Sequence, residues 1–345
     1  MATLTSASKE LFRRSADERF DSLNALYAKC AEDMRRSTDR WHAPAEIVPN
    51  PAEGRLDIDL GSQGAYRLND WSFTQLCKLA GVGKDTLNKL SPETAGRVLT
   101  ETIPVGGKPL QLLSFDRNIR SIHGASYTRL HNIDLLTVVR EFATDFQPPQ
   151  RSKFGGTGLY AGEQDMFIFL IDPLGWAEIE GEAFAPGFFL WNSEVGRRSV
   201  GIQTFWFQAV CANHIVWDAV EVVDFSRKHT ANVRECLSEI RRHIERLVEK
   251  RDQRRDGFAK VIASAFKTKL GDNADEVAKV LARYGIPRDL GRQALQTAEQ
   301  AGRFTLFSIV DALTRIAGEY QHAGDRTEID QKASALLALA APQGV

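Results

Sequence analysis

The sequence predicts an α+β fold, with a mixed, mostly antiparallel sheet flanked by helices and followed by a helical C-terminal region. Short segments that alternate in polarity, or are rich in β-branched and aromatic residues, recur between residues 55 and 225 among helical patterns. From Thr230 onward the apolar residues follow helical spacing almost without interruption. These changes divide the chain into an N-terminal helix with a linker (1–54), an α+β core domain (55–229) and a helical region (230–345).

The composition limits the class of protein. A chain of 345 residues forms one large domain or two modest ones. The first residues lack the apolar core of a secretion signal, and no run approaches the roughly 20 apolar residues of a membrane-spanning helix. We therefore expect no membrane association and a cytoplasmic location. The cysteines lack paired spacing and are expected to be mostly buried thiols; they are Cys30, Cys77, Cys211 and Cys236.

The N-terminal part of the chain contains a helical pattern and then short alternating segments. Residues 9–36 place apolar side chains near helical spacing among charged ones, which predicts an amphipathic helix. The proline-containing residues 42–51 predict a linker. Residues 55–60 and 65–68 alternate in polarity, which predicts a hairpin.

Helical and strand patterns then alternate through the core. A helical pattern over residues 71–102 is interrupted at 81–83 and again at Ser91-Pro92, where Ser91 can cap a new helix. Residues 199–216 fit either a buried strand pair or a buried helix, and we expect a strand that enters a helix. Strands at 110–115 and 119–122 around Asp116-Arg117-Asn118 predict a second hairpin. The other predicted elements are a strand at 166–171 and a helix at 132–146.

Cations and aromatic rings occur together in the predicted loops and strand ends. A groove for a single-stranded nucleic acid needs cations along the phosphates and flat side chains on which bases stack. The same residue types fit solvated strand ends that pair with nearby acids, so both interpretations stay open. The candidate binding residues are Arg117, Arg120, Tyr127, Arg129, Trp191, Arg197, Arg198, Arg227, Lys228 and His229.

Two helical segments have alternative interpretations. Residues 73–90 fit either a helix-turn-helix that reads duplex DNA or two short helices packed on the sheet. The charged residues 230–260 fit a solvated helix, or one that contacts phosphates or another subunit.

Patterns for metal or nucleotide chemistry are incomplete. Cys211 and His214 have ligand spacing, but His229 and Cys236 do not add a second tight pair, so we expect no metal site. Four acids could converge as in a metal-dependent nuclease, or could line a polar strand face; they are Asp165, Glu178, Glu180 and Glu182. The glycine-rich residues 155–158 lack the ending of a phosphate-binding loop, and we expect no cofactor.

Three motifs follow one another within residues 188–230. They are Asn192-Ser193-Glu194-Val195-Gly196-Arg197-Arg198-Ser199, Cys211-Ala212-Asn213 and Arg227-Lys228-His229-Thr230. Their order resembles the core block of a family of phage and plasmid proteins, the domain of unknown function 932. Residues 73–92, 112–139 and 304–320 resemble other parts of that family, so the resemblance extends over about residues 66–340.

We predict a non-catalytic protein that binds single-stranded nucleic acid, expected to be DNA, as a strand-annealing or recombination accessory of a phage or plasmid. The core is similar in outline to Rad52-like annealing proteins, which is an analogy of fold. A structural or interaction protein of a mobile element is the alternative, and a metal-dependent nucleic-acid enzyme is the third hypothesis. The net charge of −1 leaves few phosphate contacts for one chain, so we expect a homo-oligomer that repeats the groove.

Overall fold

Two β-sheets and a set of C-terminal helices form the fold, which confirms the predicted α+β class. The structure is a computed structural model, and it describes residues 18–148, 158–208, 214–217, 224–300, 304–319, 332–333 and 335–340. The elements up to residue 148 are α1 Leu23–Arg36, β1 Ser37–His42, β2 Val48–Ala52, β3 Arg55–Asp59, β4 Ala65–Leu68, α2 Asp70–Leu79, α3 Lys84–Leu87, α4 Pro92–Thr102, β5 Leu110–Phe115, β6 Asn118–His123 and α5 Asn132–Phe142.

The elements of the second part begin with strands and end with helices. They are β7 Leu159–Ala161, β8 Met166–Ile171, β9 Ala177–Ile179, β10 Glu182–Asn192, β11 Val200–Gln208, β12 His214–Trp217, β13 Asp224–Arg227, α6 Glu235–Glu249, α7 Arg251–Lys267, α8 Ala274–Arg283, α9 Arg288–Gln300 and α10 Leu306–Glu319. None of the helices in the described residues is long and apolar enough to cross a membrane.

The first sheet has the strand order β1-β5-β6-β4-β3-β2, and its single parallel pair among these strands is β4 with β6. The hairpins β3–β4 and β5–β6 confirm the two hairpin predictions. The predicted linker at residues 42–51 was wrong, because this stretch contains β2, which pairs with β3. Pro49 and Pro51 are tolerated there because an edge strand can leave one side of its backbone unpaired.

Helices α2 and α4 cover one face of the first sheet, with α2 on β6 and α4 on β2 and β3. Ser91 caps α4 by accepting a hydrogen bond from the backbone N–H of Thr94 at 3.3 Å, and Pro92 occupies the first turn. Gly81 has φ +68° between α2 and α3, a conformation that side chains other than glycine rarely adopt. The predicted helix breaks at residues 81–83 and 91–92 are therefore confirmed.

The second sheet is antiparallel, with the order β12-β11-β10-β8-β7 and with β9 and β13 paired to β10 and β11. Even-numbered residues of β11, such as Trp206, face helices, and Trp206 stacks on Phe258 of α7 at 3.9 Å between ring centroids. Odd-numbered residues, such as Phe205 and Phe207, belong to an apolar cluster on the opposite face. A strand that is buried on both faces has no polar alternation. For this reason the prediction of a helix after β11 was wrong, and the chain forms β12 instead.

The helices pack over one face of the second sheet in two groups. Helices α1, α5 and α6 share a core with β8 and β10, and α7 to α10 form a second core with Phe184 and Trp206. The predicted helix at 9–36 begins only at Leu23 and runs to Arg36, because residues 18–22 are not α-helical and Ser22 caps the helix by accepting from the N–H of Ala25. Residues 9–17 lie outside the described part of the chain. The charged segment predicted as one helix over 230–260 divides into α6 and α7 at Lys250, whose backbone leaves helical geometry.

Candidate nucleic-acid interface

The loop between β10 and β11 inserts a buried carboxylate between the two sheets. Glu194 is 4% exposed, and its Oε2 accepts a hydrogen bond from Arg120 Nη1 of β6 at 3.0 Å. Its Oε1 accepts from the backbone N–H of Asn132, the first residue of α5, at 2.8 Å. We call Glu194, Arg120, Tyr127, Arg129 and Asn132 the Glu194 hub, because these residues connect the first sheet, α5 and the second sheet.

The backbone of Glu194 is held as firmly as its side chain. Its carbonyl oxygen accepts hydrogen bonds from Arg129 Nη1 and from Tyr127 Oη, the latter at 2.8 Å. Arg129 is 4% exposed, and its Nε also donates to Asp39 of β1 at 2.8 Å. A single guanidinium therefore connects the edge strand of the first sheet to the loop of the second.

The ionised form of Glu194 is stabilised despite its burial. Burial alone raises the pKa of this carboxyl, but the nearby His131 ring, the charge of Arg120 and the N–H of Asn132 outweigh that effect and lower the pKa to about 2. His131 Nδ1 lies 3.6 Å from Glu194 Oε1. The hub thus contains a carboxylate that is fully matched by donors.

Three rings stack beside the hub. Tyr127 lies against His123 with ring centroids 3.6 Å apart and against His229 at 5.4 Å. Burial and the positive charge of Arg129 lower the pKa of both histidines to about 4. Gly196 closes the stack with φ +72°, and a Cβ at this position would lie 2.5 Å from His123 Cε1. Only glycine fits there without displacing the ring.

The residues before Glu194 are also occupied in structural contacts. Asn192 Nδ2 donates to the carbonyl of Leu130 at 3.0 Å and to Asn132 Oδ1 at 2.8 Å. Ser193 Oγ donates to the carbonyl of Gln164 at 2.5 Å. Sequence reasoning did not include Asn192, Ser193 or Glu194 among the candidate residues. The sequence signal that could have identified them is a run of three polar residues between two apolar strands, because buried polar groups need hydrogen-bond partners.

The predicted binding residues differ in the protein groups that they contact. Arg120, Tyr127, Arg129 and His229 come together in or against the hub, where all four are buried or half-buried by protein. Arg197 and Arg198 lie 3.8 and 3.3 Å from the buried Asp165. These two arginines therefore neutralise an internal acid.

Of the remaining predicted residues, Arg227, Trp191 and Lys228 lie on or beside β10 and β13 of the second sheet. Arg227 pairs with Glu235 and Glu239 of α6 at 3.1 and 3.0 Å. Trp191 packs on Phe189 at 5.0 Å between ring centroids, while Lys228 is exposed. Among the ten predicted residues in total, Arg117 and Lys228 are the two classed as exposed. Most of the set is therefore already in contact with protein groups.

Arg117 belongs to an exposed group of cations at the turn between β5 and β6. We call Arg36, Arg40, Arg67 and Arg117 the arginine patch. Arg117 donates to the carbonyl of Gln63, and Arg40 Nη1 donates to Gln63 Oε1 at 3.0 Å. Arg67 lies beside the turn because it is the register partner of Asn118.

Within the described residues, Arg36 is the member of the patch that has acidic partners, namely Asp116 and Glu32. Two aromatic rings lie under the patch. The guanidinium of Arg36 is 4.3 Å from the ring centroid of Phe115, and that of Arg117 is 5.1 Å from Tyr66. Cations over aromatic faces keep their outer surface available to a ligand.

A groove of about 340 Å³ adjoins the patch. We call it the junction groove, because it lies where α1, the ends of β4 and β6, and the turn after β7 meet. Its lining residues are Glu18, Lys29, Asp33, Arg67, Leu68, Asn69, Phe115, Asn118, Arg120, Ala161, Gly162 and Glu163. Arg120 connects the groove to the hub, since its Nη2 donates to the carbonyl of Glu163 at 3.0 Å.

The other sequence candidates have structural positions. Helices α2 and α3 form the segment considered as a helix-turn-helix, and α2 packs on β6. Cys211 and residues 155–157 lie outside the described residues, while Cys236 is a buried thiol. Across the part of the chain that the structure describes, no group of three ligand-type side chains could hold a metal ion.

Comparison with protein families gives a match to one model, Domain of unknown function (DUF932), over residues 121–338. The match starts after residue 66, where the resemblance was expected to begin, so it includes the hub loop but not α2 to α4. Searches of curated proteins and of solved structures gave no significant match. Because the family model covers more than half of the chain, this protein belongs to the DUF932 family.

Proposed function

We propose that this protein binds single-stranded nucleic acid without catalysing a reaction on it, and that the strand's phosphates lie on the arginine patch. One observation carries the proposal. Arg40, Arg67 and Arg117 are exposed around one turn and have no acidic partner within the described residues. Uncompensated guanidinium groups are strong phosphate ligands, and their grouping gives a local positive field on a chain of net charge −1.

The patch replaces part of the groove expected from sequence. Arg117 is retained from that set, while Arg129, Arg197 and Arg198 already contact acids of the protein. For a single strand, each phosphate contact contributes roughly −0.7 to the slope of log affinity against log salt. The four arginines of the patch therefore give a slope no steeper than about −3. Such binding is weak for one chain.

We further propose that the protein acts as a homo-oligomer, because repeating a weak patch along one strand raises its effective affinity. The edge strand β1 favours this. Its central residues are exposed, and Trp41 is 51% exposed. An exposed edge strand can pair with a strand of another chain. Strand annealing or a recombination step for a phage or plasmid, with DNA as ligand and in the cytoplasm, remains the functional context that we predict.

The test is a salt series with labelled oligonucleotides. Fluorescence anisotropy should show single-strand binding that weakens steeply with salt. The double variant Arg67→Ala/Arg117→Ala should weaken binding and reduce the slope by about 1.4, which is two contacts at roughly 0.7 each. Arg283→Ala/Arg288→Ala is the matched control, because both of its arginines are exposed and lie on α8 and α9, away from the patch. Equal effects of the two double variants would remove the patch from the interface.

The alternative function is that of an interaction protein without nucleic-acid binding. Trp41 favours it, because a large exposed ring on an edge strand is a common anchor in protein interfaces. The same anisotropy series decides between the two functions. Absence of single-strand binding at low salt, together with self-association that depends on Trp41, would support the alternative.

A further inference from the structure

We propose that the junction groove binds one unpaired base of the strand and favours bases that carry an exocyclic amino group. This inference rests on the proposed function and adds a chemical preference to it. Phosphate on the patch and base in the groove are compatible because Arg67 belongs to both sites and Phe115, which lines the groove, lies under Arg36 of the patch. Asn118 of the groove directly follows Arg117 of the patch in the chain.

The charges of the groove exclude phosphate as its preferred occupant. Lys29 is neutralised by Asp33, with Nζ 2.5 Å from Oδ1, and Arg120 is neutralised by Glu194. The remaining charged side chains that line the groove are Arg67, Glu18 and Glu163. Two carboxylates against one cation repel a phosphate but accept hydrogen bonds from a neutral donor.

Several groups in the groove have unused hydrogen-bonding capacity. No ion pair or side-chain hydrogen bond is made by Glu18, Glu163 or Asn118 within the described residues. Asn69 uses its Oδ1 to cap α2, accepting from the N–H of Ser72 at 2.8 Å, which leaves its amide N–H groups for a ligand. Acceptors from carboxylates and donors from amides match the edge of a nucleobase.

The shape of the groove also fits a base. Its volume of about 340 Å³ lies at the lower end of the range for small-molecule sites, roughly 300–1,000 Å³. Phe115 and Leu68 provide apolar surface in the lining. A base within a duplex presents this edge to its partner, so occupancy of the groove requires an unpaired strand.

The acceptors predict which bases bind. Cytosine offers its exocyclic amino group to a carboxylate, whereas thymine has a carbonyl at the corresponding position and would place oxygen against oxygen. We expect oligo-dC to bind about tenfold more tightly than oligo-dT of equal length, because one well-placed base contact gives discrimination of that order. Salt should affect both oligonucleotides equally, since the phosphates are the same.

Two measurements on the full chain test the proposal. The first is the dC to dT affinity ratio of wild type, of Glu18→Ala/Glu163→Ala and of the control Glu53→Ala/Glu101→Ala, which removes two exposed acids elsewhere. The change of net charge acts on both oligonucleotides, so the ratio isolates base recognition. The groove variant should lower the ratio to near one, and the control should keep it. A wild-type ratio near one, or a ratio that survives in the groove variant, overturns the base site.

The second measurement uses deoxycytidine and thymidine alone, observed by saturation-transfer NMR. Deoxycytidine should receive transfer from the wild type and lose it in the groove variant, with thymidine weaker throughout. Since no phosphate is present, this result does not depend on the patch. Oligonucleotides that bind while deoxycytidine shows no transfer would overturn the groove site and leave the proposed function standing. Oligonucleotides that fail to bind at all would defeat the proposed function, whatever the nucleosides do.

Discussion

Replacing Glu194 by glutamine should destabilise the protein by about 3 kcal/mol. The substitution preserves the volume of the side chain and keeps an oxygen that can accept from the N–H of Asn132. It removes the charge that faces Arg120, whose side chain is 11% exposed. Removal of one partner from a buried ion pair typically costs about 3–5 kcal/mol. The low end applies here because Arg120 keeps its hydrogen bond to the carbonyl of Glu163.

The pKa of Glu194 gives an independent value. Its fall from 4.5 to about 2 corresponds to roughly 3 kcal/mol of folding free energy, at ~1.36 kcal/mol for each pH unit. Because the folded pKa is lowered, this stability is fully present above pH 4.5 and is lost as the pH falls toward 2. The difference between wild type and Glu194→Gln should therefore shrink over the same interval.

Urea unfolding followed by tryptophan fluorescence measures both effects. Glu245→Gln is the matched control, because it breaks an exposed pair with Arg241 at 3.0 Å and should cost about 0.5 kcal/mol or less. The reasoning is refuted if Glu194→Gln costs no more than this control at pH 7. It is also refuted if the difference between Glu194→Gln and wild type is the same at pH 3 as at pH 7.

Three further outcomes are expected. The folded state disfavours protonation of His123 and His229, so this penalty is absent above pH 6.5 and lowers stability as the pH drops toward 4. His229→Phe should therefore unfold less readily than wild type at pH 5. Equal urea midpoints would contradict this. Gly196→Ala should lower the free energy of unfolding by at least about 1 kcal/mol, because of both its φ and the contact with His123, and an unchanged midpoint would show that the ring can move. Light scattering at several concentrations should show self-association, strengthened by a single-stranded oligonucleotide and weakened by Trp41→Ser; a monomer under every condition would defeat the oligomer hypothesis.

Sequence patterns predicted correctly those elements that depend on contacts between residues close together in the chain. Ser91-Pro92 identified the start of α4 because capping depends on neighbours three residues away. The β5–β6 hairpin followed from its turn at Asp116 and Arg117. The end of β11 could not be predicted, because both faces of that strand are buried and its apolar run has no period. Tertiary packing decided between strand and helix there.

The candidate site shows the same limit. Sequence reasoning identified Arg120 and Arg129 as cations of interest but could not identify their acids. Asp39 lies 90 residues before Arg129, and Glu194 lies 74 residues after Arg120. The residues next to an arginine in the sequence do not show whether a distant acid pairs with it in the fold. The arginine patch emerged only when the fold showed that Arg40, Arg67 and Arg117 have no acidic partner within the described residues.

The position of β1 in the first sheet affects how the chain folds during synthesis. β1 is made early, yet its partner β5 begins at Leu110, and α1 packs in a core that also includes α6, which ends at Glu249. At roughly 5–20 residues per second, translation from α1 to the end of α6 takes about 10–45 s. Until β5 is complete the edge of β1 lacks its partner, and until α6 is complete the apolar face of α1 lacks part of its native core. The N-terminal elements are therefore exposed to premature association on the ribosome during this time.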